Sequence, residues 1–471
     1  MPPLFRPGGI MNHNQVCIYG GRCHQCGRCG LSETSDRKEK LTVLPEGFLE
    51  GLPGEGVEGW GAAFDIGTTT VVGMLWDLSG HRLLKIVSAS NPQGKYGQDV
   101  ISRINYCMEN KGGLNRLQEL IIACINELLH QMRAAEEAKP LVRLTVAGNT
   151  TMCHLLLGRD PSSLARAPYA PGYLGSVRVP AASLGIDAAD AAEVLVLPGI
   201  AGHVGADITA GMIASGLPDR QETILYIDVG TNGEIVLLSQ GTLTACSAAA
   251  GPAFEGASIR CGTRAARGAV ETVRLTEQGV VCRTIGEEAP AGICGSGLID
   301  AVAQFLDCGI IDYKGRMKKP GEVSHLPPAL RSSLRLGENG PAFHLTETVS
   351  ICQQDIREVQ LAKGAILAGC LILLETAGKT PEDLDAIWIA GAFGSYIDRI
   401  SALKIGLFPR IDPDRIVPAG NAAGAGASMA LLSAEVQADA DGVAQRTRHV
   451  SLAEYPGFEM RYARSMYFPN E

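Results

Sequence analysis

Short apolar runs occupy residues 62–66, 71–77 and 83–88, with Leu78, Ser79 and Gly80 turning the chain between the last two. Runs of this length bounded by turn residues predict three strands, the first two joined as a hairpin. The period then changes. Residues 98–108 and 114–136 read as helices, and in the second Leu117, Leu120, Ile121, Cys124 and Leu128 recur on one helical face. A strand follows at 141–146, runs into Gly148-Asn149-Thr150-Thr151, and enters a helix containing Met152 to Leu157. Near Glu222 the plan begins again with a strand at 224–229, a hairpin return and a third strand at 243–247. Glycine turns at 249–256 and 292–297 come next, the latter opening a helix at 298–306 whose first amides are free. A long apolar helix at 359–376 and a strand at 386–390 deliver Gly391-Ala392-Phe393-Gly394. Hairpins alternating with helices, twice over, predict a mixed α/β fold of two related lobes. The expected boundaries are a leading segment at 1–59, a first lobe at 60–221 and a second at 222–471.

Each round contains the same phrase. Phe64-Asp65-Ile66-Gly67-Thr68-Thr69-Thr70 is answered by Ile227-Asp228-Val229-Gly230-Thr231-Asn232-Gly233. In both, an apolar strand ends in an aspartate, a glycine turn and a hydroxyl residue. A carboxylate directed at Mg²⁺, beside amides and hydroxyls that grip phosphate oxygens, is the chemistry such a turn offers. Two copies imply ATP held between two half-domains. Gly67, Thr68, Thr69, Gly230, Thr231 and Asn232 are the expected phosphate contacts, and Gly295 adds the helix N-terminus. Asp65 and Asp228 are the candidate catalytic carboxylates that position water, against the plainer reading of turn-capping aspartates. Thr150, Glu234, Glu255 and Asp300 read either as supporting groups or as turn residues, and Arg357 and Lys363 as phosphate, partner or solvent contacts. No Gly-x-x-x-x-Gly-Lys-Ser/Thr sequence occurs, which excludes a P-loop.

Bulk composition narrows the partners. With 46% hydrophobic and 19% charged residues the chain is a folding one, and its net charge of −9 gives no attraction to nucleic acid or anionic lipid. The N-terminus has no apolar signal region, and the uncharged stretch 416–434 contains Pro418 and Asn421. That stretch is expected to be a loop and a buried, closely packed helix, in a soluble cytoplasmic protein.

Ten of the 14 cysteines are scattered and read as small buried hydrophobes. Cys17, Cys23, Cys26 and Cys29 are not scattered: they form a C-x5-C-x2-C-x2-C run with His24 inside it. Four thiolates in one continuous run favour an iron–sulfur cluster over structural zinc, which more often takes two separated pairs. Zinc stays as the alternative.

The order of these phrases resembles the superfamily of acetate and sugar kinases, heat-shock ATPases and actin. From Gly61 onward the chain is similar to the reductive activators of corrinoid proteins. The similarity is carried by Asn91-Pro92-Gln93, the run from Gly97 to Ile104, Gly148 to Met152, Val204-Gly205-Ala206-Asp207, Asp228 to Glu234, Ala249 to Gly256, Gly292 to Asp300, Asp355-Ile356-Arg357, Ala362-Lys363 and Gly391 to Gly394. The resemblance implies two actin-like, ribonuclease-H-like lobes flanking a nucleotide cleft, with a short cysteine-rich segment in front. It implies Mg²⁺ and phosphate at Asp65, Thr68, Thr69, Asp228, Thr231 and Asn232, and adenosine against Gly391 and Gly394. The implied activity is ATP-dependent electron delivery that returns a corrinoid protein from cobalt(II) to cobalt(I), with a separate electron donor and a homodimeric assembly. Relatives carry a plant-type 2Fe–2S domain with a distant fourth cysteine. Here Cys29 follows Cys26 at once, which favours 4Fe–4S over 2Fe–2S. Competing readings are a small-molecule kinase with structural zinc, a nucleotide-sensing scaffold, and an activator of another low-potential metalloenzyme.

Overall fold

The computed structural model describes residues 48–49, 52, 56–133, 139–337 and 340–470. The end of the helix expected at 114–136 and the four clustered cysteines lie outside the described residues.

Two six-stranded sheets share one plan. In the first, Trp60–Ile66 pairs antiparallel with Thr70–Asp77, which pairs with Arg82–Ser90, while Leu141–Gly148 lies parallel on the other side of Trp60–Ile66. Glu193–Val196 and Val177–Pro180 complete that side. In the second, Ile224–Val229 pairs antiparallel with Gly233–Ser239, which pairs with Thr242–Ala248, and Ala386–Ala390 lies parallel on the far side. Ile416–Gly420 and the short Arg448–His449 form its edges. The parallel strands require crossovers. Val100–Glu109 and Gly113–Arg133 supply them in the first lobe, and Gly295–Asp307 with Gln353–Thr376 in the second. Two three-stranded sheets, at 269–293 and 334–352, extend the second lobe and were not foreseen.

The lobes share their interior. One cluster of buried side chains runs from Ile121 and Leu128 through Phe64 and Val146 to Tyr226, Val236 and Trp388 on the second sheet. Helices Ala206–Ala214 and Ala422–Leu432 carry it across the seam, and every residue of the latter is buried. Their backbones approach as only small residues permit. A Cβ on Gly426 would fall 2.0 Å from the Ala210 carbonyl oxygen, and one on Gly211 would fall 2.0 Å from the Tyr226 hydroxyl.

Several expectations change. The stretch at 416–434 holds a strand, Ile416–Gly420, before its buried helix, so the loop expectation is corrected. Pro418 is tolerated because the strand is an edge, where a missing N–H breaks no inner ladder. Helix Gln353–Thr376 is long and apolar enough to cross a membrane, yet 72% of its most apolar window is buried inside the fold. It is a core helix. Lys363 on that helix meets no phosphate turn: fully buried, it donates to the Tyr467 carbonyl and stands 5.2 Å from the Phe468 ring. Burial pulls its ammonium down to about 7. Gln360 donates to the Met466 carbonyl at 3.0 Å, so this helix straps down the C-terminal segment, for which the sequence offered no reading. Arg357 is exposed.

Gly426→Val is expected to destabilise the protein by about 3 kcal/mol or more, because the added branch meets the backbone of Ala210, which cannot move aside as a side chain could. Denaturant unfolding of the variant checks this, and a loss under about 1 kcal/mol would mean that the seam is loosely packed.

Candidate functional site

Both predicted hairpins form, and their turns differ by one residue. Ile66 pairs with Val71, leaving 67–70 in the first turn, whereas Val229 pairs with Gly233, leaving 230–232 in the second. The Gly67 amide donates to the Thr70 carbonyl at 2.9 Å, and the Gly230 amide to the Asn232 carbonyl at 2.9 Å. The first turn is held from behind by the residues that made the sequence distinctive. Asn91 donates to the Gly67 carbonyl at 2.9 Å, and the Asn91 amide to the Thr69 carbonyl at 2.8 Å. Arg103, with 1% of its surface exposed, donates to the Thr68 carbonyl and to Gln93 Oε1. Asp99 accepts from the Ser102 amide at 2.8 Å and so starts the helix that presents Arg103. A guanidinium on a turn carbonyl is a strong, charge-assisted bond that fixes the turn from behind.

The aspartates converge. Asp65 and Asp228 end the central strands of the two sheets, half-buried at the floor of the cleft. Asp207, in the first turn of helix Ala206–Ala214, joins them. Burial pushes the Asp65 carboxyl up to about 7, with Asp228 raising it further and a hydrogen bond from Asn421 opposing. Burial, then Asp228 and Asp65, push Asp207 up to about 8, and burial pushes Asp228 up to about 6. Glu234, opposite Asp228 in the ladder, is also raised, chiefly by burial and then by Asp207 and Asp228. Repulsion of this kind asks for a cation. The carboxylates fit a divalent one, although no three acidic, His or Cys side chains among the described residues are arranged as a complete metal cage. Mg²⁺ needs none, since it keeps several waters and shares phosphate oxygens.

The other glycine turns of the second lobe pack on one another, and Gly391 brings them to Asp228. Gly391 has φ +78°, and a Cβ there would fall 2.9 Å from Asp228 Oδ1. The residues expected as a turn at 391–394 form a short helix, Gly391–Tyr396, whose Phe393 stacks on Phe254 with centroids 5.4 Å apart. A Cβ on Gly295 would lie 2.2 Å from the Phe254 carbonyl oxygen, so this helix start abuts the 252–256 turn. Gly394 packs on Ile389, where a Cβ would fall 2.5 Å from its Cγ2, so its own constraint is internal packing. Glu255, from the same turn as Phe254, accepts from Thr69 at 3.2 Å and from Thr231 at 2.8 Å. Of the supporting candidates, Thr150 opens helix Thr150–Leu156 and donates to the Ala201 carbonyl at 2.8 Å. Asp300 is buried and accepts from the Val273 amide at 3.4 Å. Asp207 and Asn421 were missed as site residues. The phrase Val204 to Asp207 was the available signal, because a Cβ on Gly205 would fall 2.5 Å from the Asn149 Cα.

Two sheets of one topology, each ending a central strand in an Asp-x-Gly-Thr hairpin at a common cleft, define an actin-like ATPase fold. Residues 222–471 match the family described as the C-terminal domain of RACo, the ASKHA domain, and residues 60–220 match the RACo middle region. The chain belongs to the RACo family. It is 36% identical over 445 residues to the corrinoid activation enzyme RamQ of Eubacterium limosum, covering 91% of this chain and 74% of that one. It is 28% identical over 395 residues to the Co(II) methylated amine-specific corrinoid protein reductase of Methanosarcina barkeri, covering 77% and 68%. A solved reductive activator for corrinoid, iron–sulfur protein superposes with a TM-score of 0.78 at 37% identity, over 88% of this chain and 66% of that one.

The raised carboxyls give a signed pH dependence. Their folded values lie above the unfolded value of 3.8, so the stability they contribute is present at low pH and is lost as pH rises through about 6 to 8. Thermal melts in EDTA are therefore expected to fall from pH 6 to pH 8, and added Mg²⁺ to restore more at pH 8 than at pH 6. A Mg²⁺ effect independent of pH would show that the cation does not meet these groups.

Proposed function

We propose that this chain is an ATP-dependent reductive activator, which couples ATP binding and hydrolysis to one-electron reduction of a corrinoid protein from cobalt(II) to cobalt(I). The observation that carries the reading is the cleft itself: two Asp-x-Gly-Thr turns from two lobes meet at one half-buried carboxylate cluster, in a chain of the RACo family. ATP is the substrate, with its phosphates along the turns 67–70 and 230–232 and its adenosine toward Gly391 and Gly394. Asp65 and Asp228 would hold Mg²⁺, with Asp207 beside them, and the ion when bound screens phosphate charge. Asp65 and Asp228 also orient the water that attacks the terminal phosphorus as its bond to the bridging oxygen breaks.

Electron delivery belongs to Cys17, Cys23, Cys26 and Cys29, which lie outside the described residues. Their spacing suits an iron–sulfur cluster, 4Fe–4S in preference to 2Fe–2S, recharged by a separate donor. Moving one electron roughly 200 mV uphill costs about 4.6 kcal/mol. Nucleotide can supply this only by binding two arrangements of the lobes with different affinity. The small-residue seam at Ala210 and Gly426 is where such a change would pivot.

The test is metal and sulfide content of protein purified without oxygen, an EPR spectrum after dithionite, and then cobalt(I) formation on a corrinoid protein with and without ATP. Iron and sulfide near cluster stoichiometry, with reduction that requires ATP and disappears in Cys26→Ser, is the expected result. Zinc or no metal, with ATP turnover that follows a metabolite, would replace this reading with the kinase one.

A further inference from the structure

Glu255 is reached from both lobes: Thr69 Oγ1 donates to its Oε2 at 3.2 Å and Thr231 Oγ1 to its Oε1 at 2.8 Å. A hydroxyl has one hydrogen and two acceptor lone pairs, whereas an ionised carboxylate only accepts. Each threonine therefore spends its hydrogen on Glu255 and presents lone pairs elsewhere. Anionic phosphate oxygens also only accept, so neither hydroxyl has a hydrogen left for them. Thr68 is arranged the other way. Its oxygen accepts from Asn149 Nδ2 at 2.9 Å. The amide of Asn149 is oriented by its Oδ1, which accepts from the Met152 amide at 2.9 Å and caps helix Thr150–Leu156. Thr68 keeps its hydrogen.

We infer that Glu255 is a positioning residue that commits Thr69 and Thr231, one hydroxyl from each lobe, to the divalent cation or its waters, leaving phosphate donation to Thr68 and the turn amides. Neutral hydroxyl oxygens suit a hard cation, as in phosphate-binding loops where a Ser or Thr oxygen faces Mg²⁺. The carboxylate's own charge favours a cation at that point and opposes bare phosphate. The expectation that all the turn hydroxyls grip phosphate is thereby divided: one does, and two serve the metal. The inference rests on the nucleotide reading above and assigns roles within that site.

The experiment is binding of a fluorescent ATP analogue to the full chain, first in EDTA and then with Mg²⁺ titrated in. Mg²⁺ is expected to tighten wild-type binding. Glu255→Gln keeps the shape but replaces one acceptor by a donor, which reverses one hydroxyl. It is expected to raise the Mg²⁺ concentration for half-effect by about 10–100-fold, the usual consequence of losing a group that orients a metal ligand, with metal-free affinity retained or tightened because the charge that opposes bare phosphate is gone. Thr231→Val should behave likewise. Thr68→Val should weaken metal-free binding and leave the Mg²⁺ half-effect in place. The inference is overturned if Glu255→Gln and Thr231→Val leave the Mg²⁺ titration unchanged, or weaken metal-free binding as Thr68→Val does. Wild-type protein that binds no analogue with or without Mg²⁺ would instead overturn the nucleotide reading itself.

Discussion

Three aspartates brought together where two lobes meet are the constraint on which the rest of the structure depends. Asp65 and Asp228 come from equivalent strands of the two sheets, and Asp207 from the helix that bridges them. Burial raises all three, the neighbouring carboxylates raise Asp65 and Asp207 further, and the hydrogen bond from Asn421 to Asp65 offsets this only in part. Charges held so close in a poorly solvated place are relieved by a proton or by a cation. A cation brought in with phosphate is attracted to both lobes at once. On the proposed reading, repulsion stored in the protein becomes affinity for a charged ligand that joins the halves.

Rigidity around the cluster gives that affinity a direction. Arg103, Asn91 and Asn149 fix the first turn through its carbonyls and the Thr68 hydroxyl, and Glu255 ties Thr69 to Thr231 across the cleft. Behind them, the crossing of Ala206–Ala214 with Ala422–Leu432 is packed backbone to backbone. Well-packed interfaces of this kind move between discrete arrangements and do not deform smoothly. A nucleotide that favours one arrangement can then do work on whatever is attached to the lobes.

Much of this was legible in the chain, because local signals and the global plan agree. The strand Ala386–Ala390 has the bounds its apolar run predicts, and the two Asp-x-Gly-Thr turns could be read directly. The misses have physical reasons. Ile416–Gly420 hid because Pro418 argues against a strand unless the strand is an edge. Lys363 was read as a phosphate, partner or solvent contact because nothing local reveals a buried carbonyl partner 104 residues away. The part played by Glu255 was invisible for the same reason: its two hydroxyl partners belong to different lobes, and Thr69 lies 186 residues from it. Glycines spoke more clearly, since Gly391 and Gly205 stand where a Cβ would strike a site carboxylate or a neighbouring turn.

The central claim, that one cation-bound nucleotide joins two half-sites, is tested most directly by calorimetric titration of the full chain with Mg²⁺ and a slowly hydrolysed ATP analogue. The account predicts one analogue per chain, with binding lost when either Asp65→Asn or Asp228→Asn is introduced and the variant still folded. Retention of near wild-type affinity in either variant would contradict it, because a single lobe would then hold the nucleotide alone.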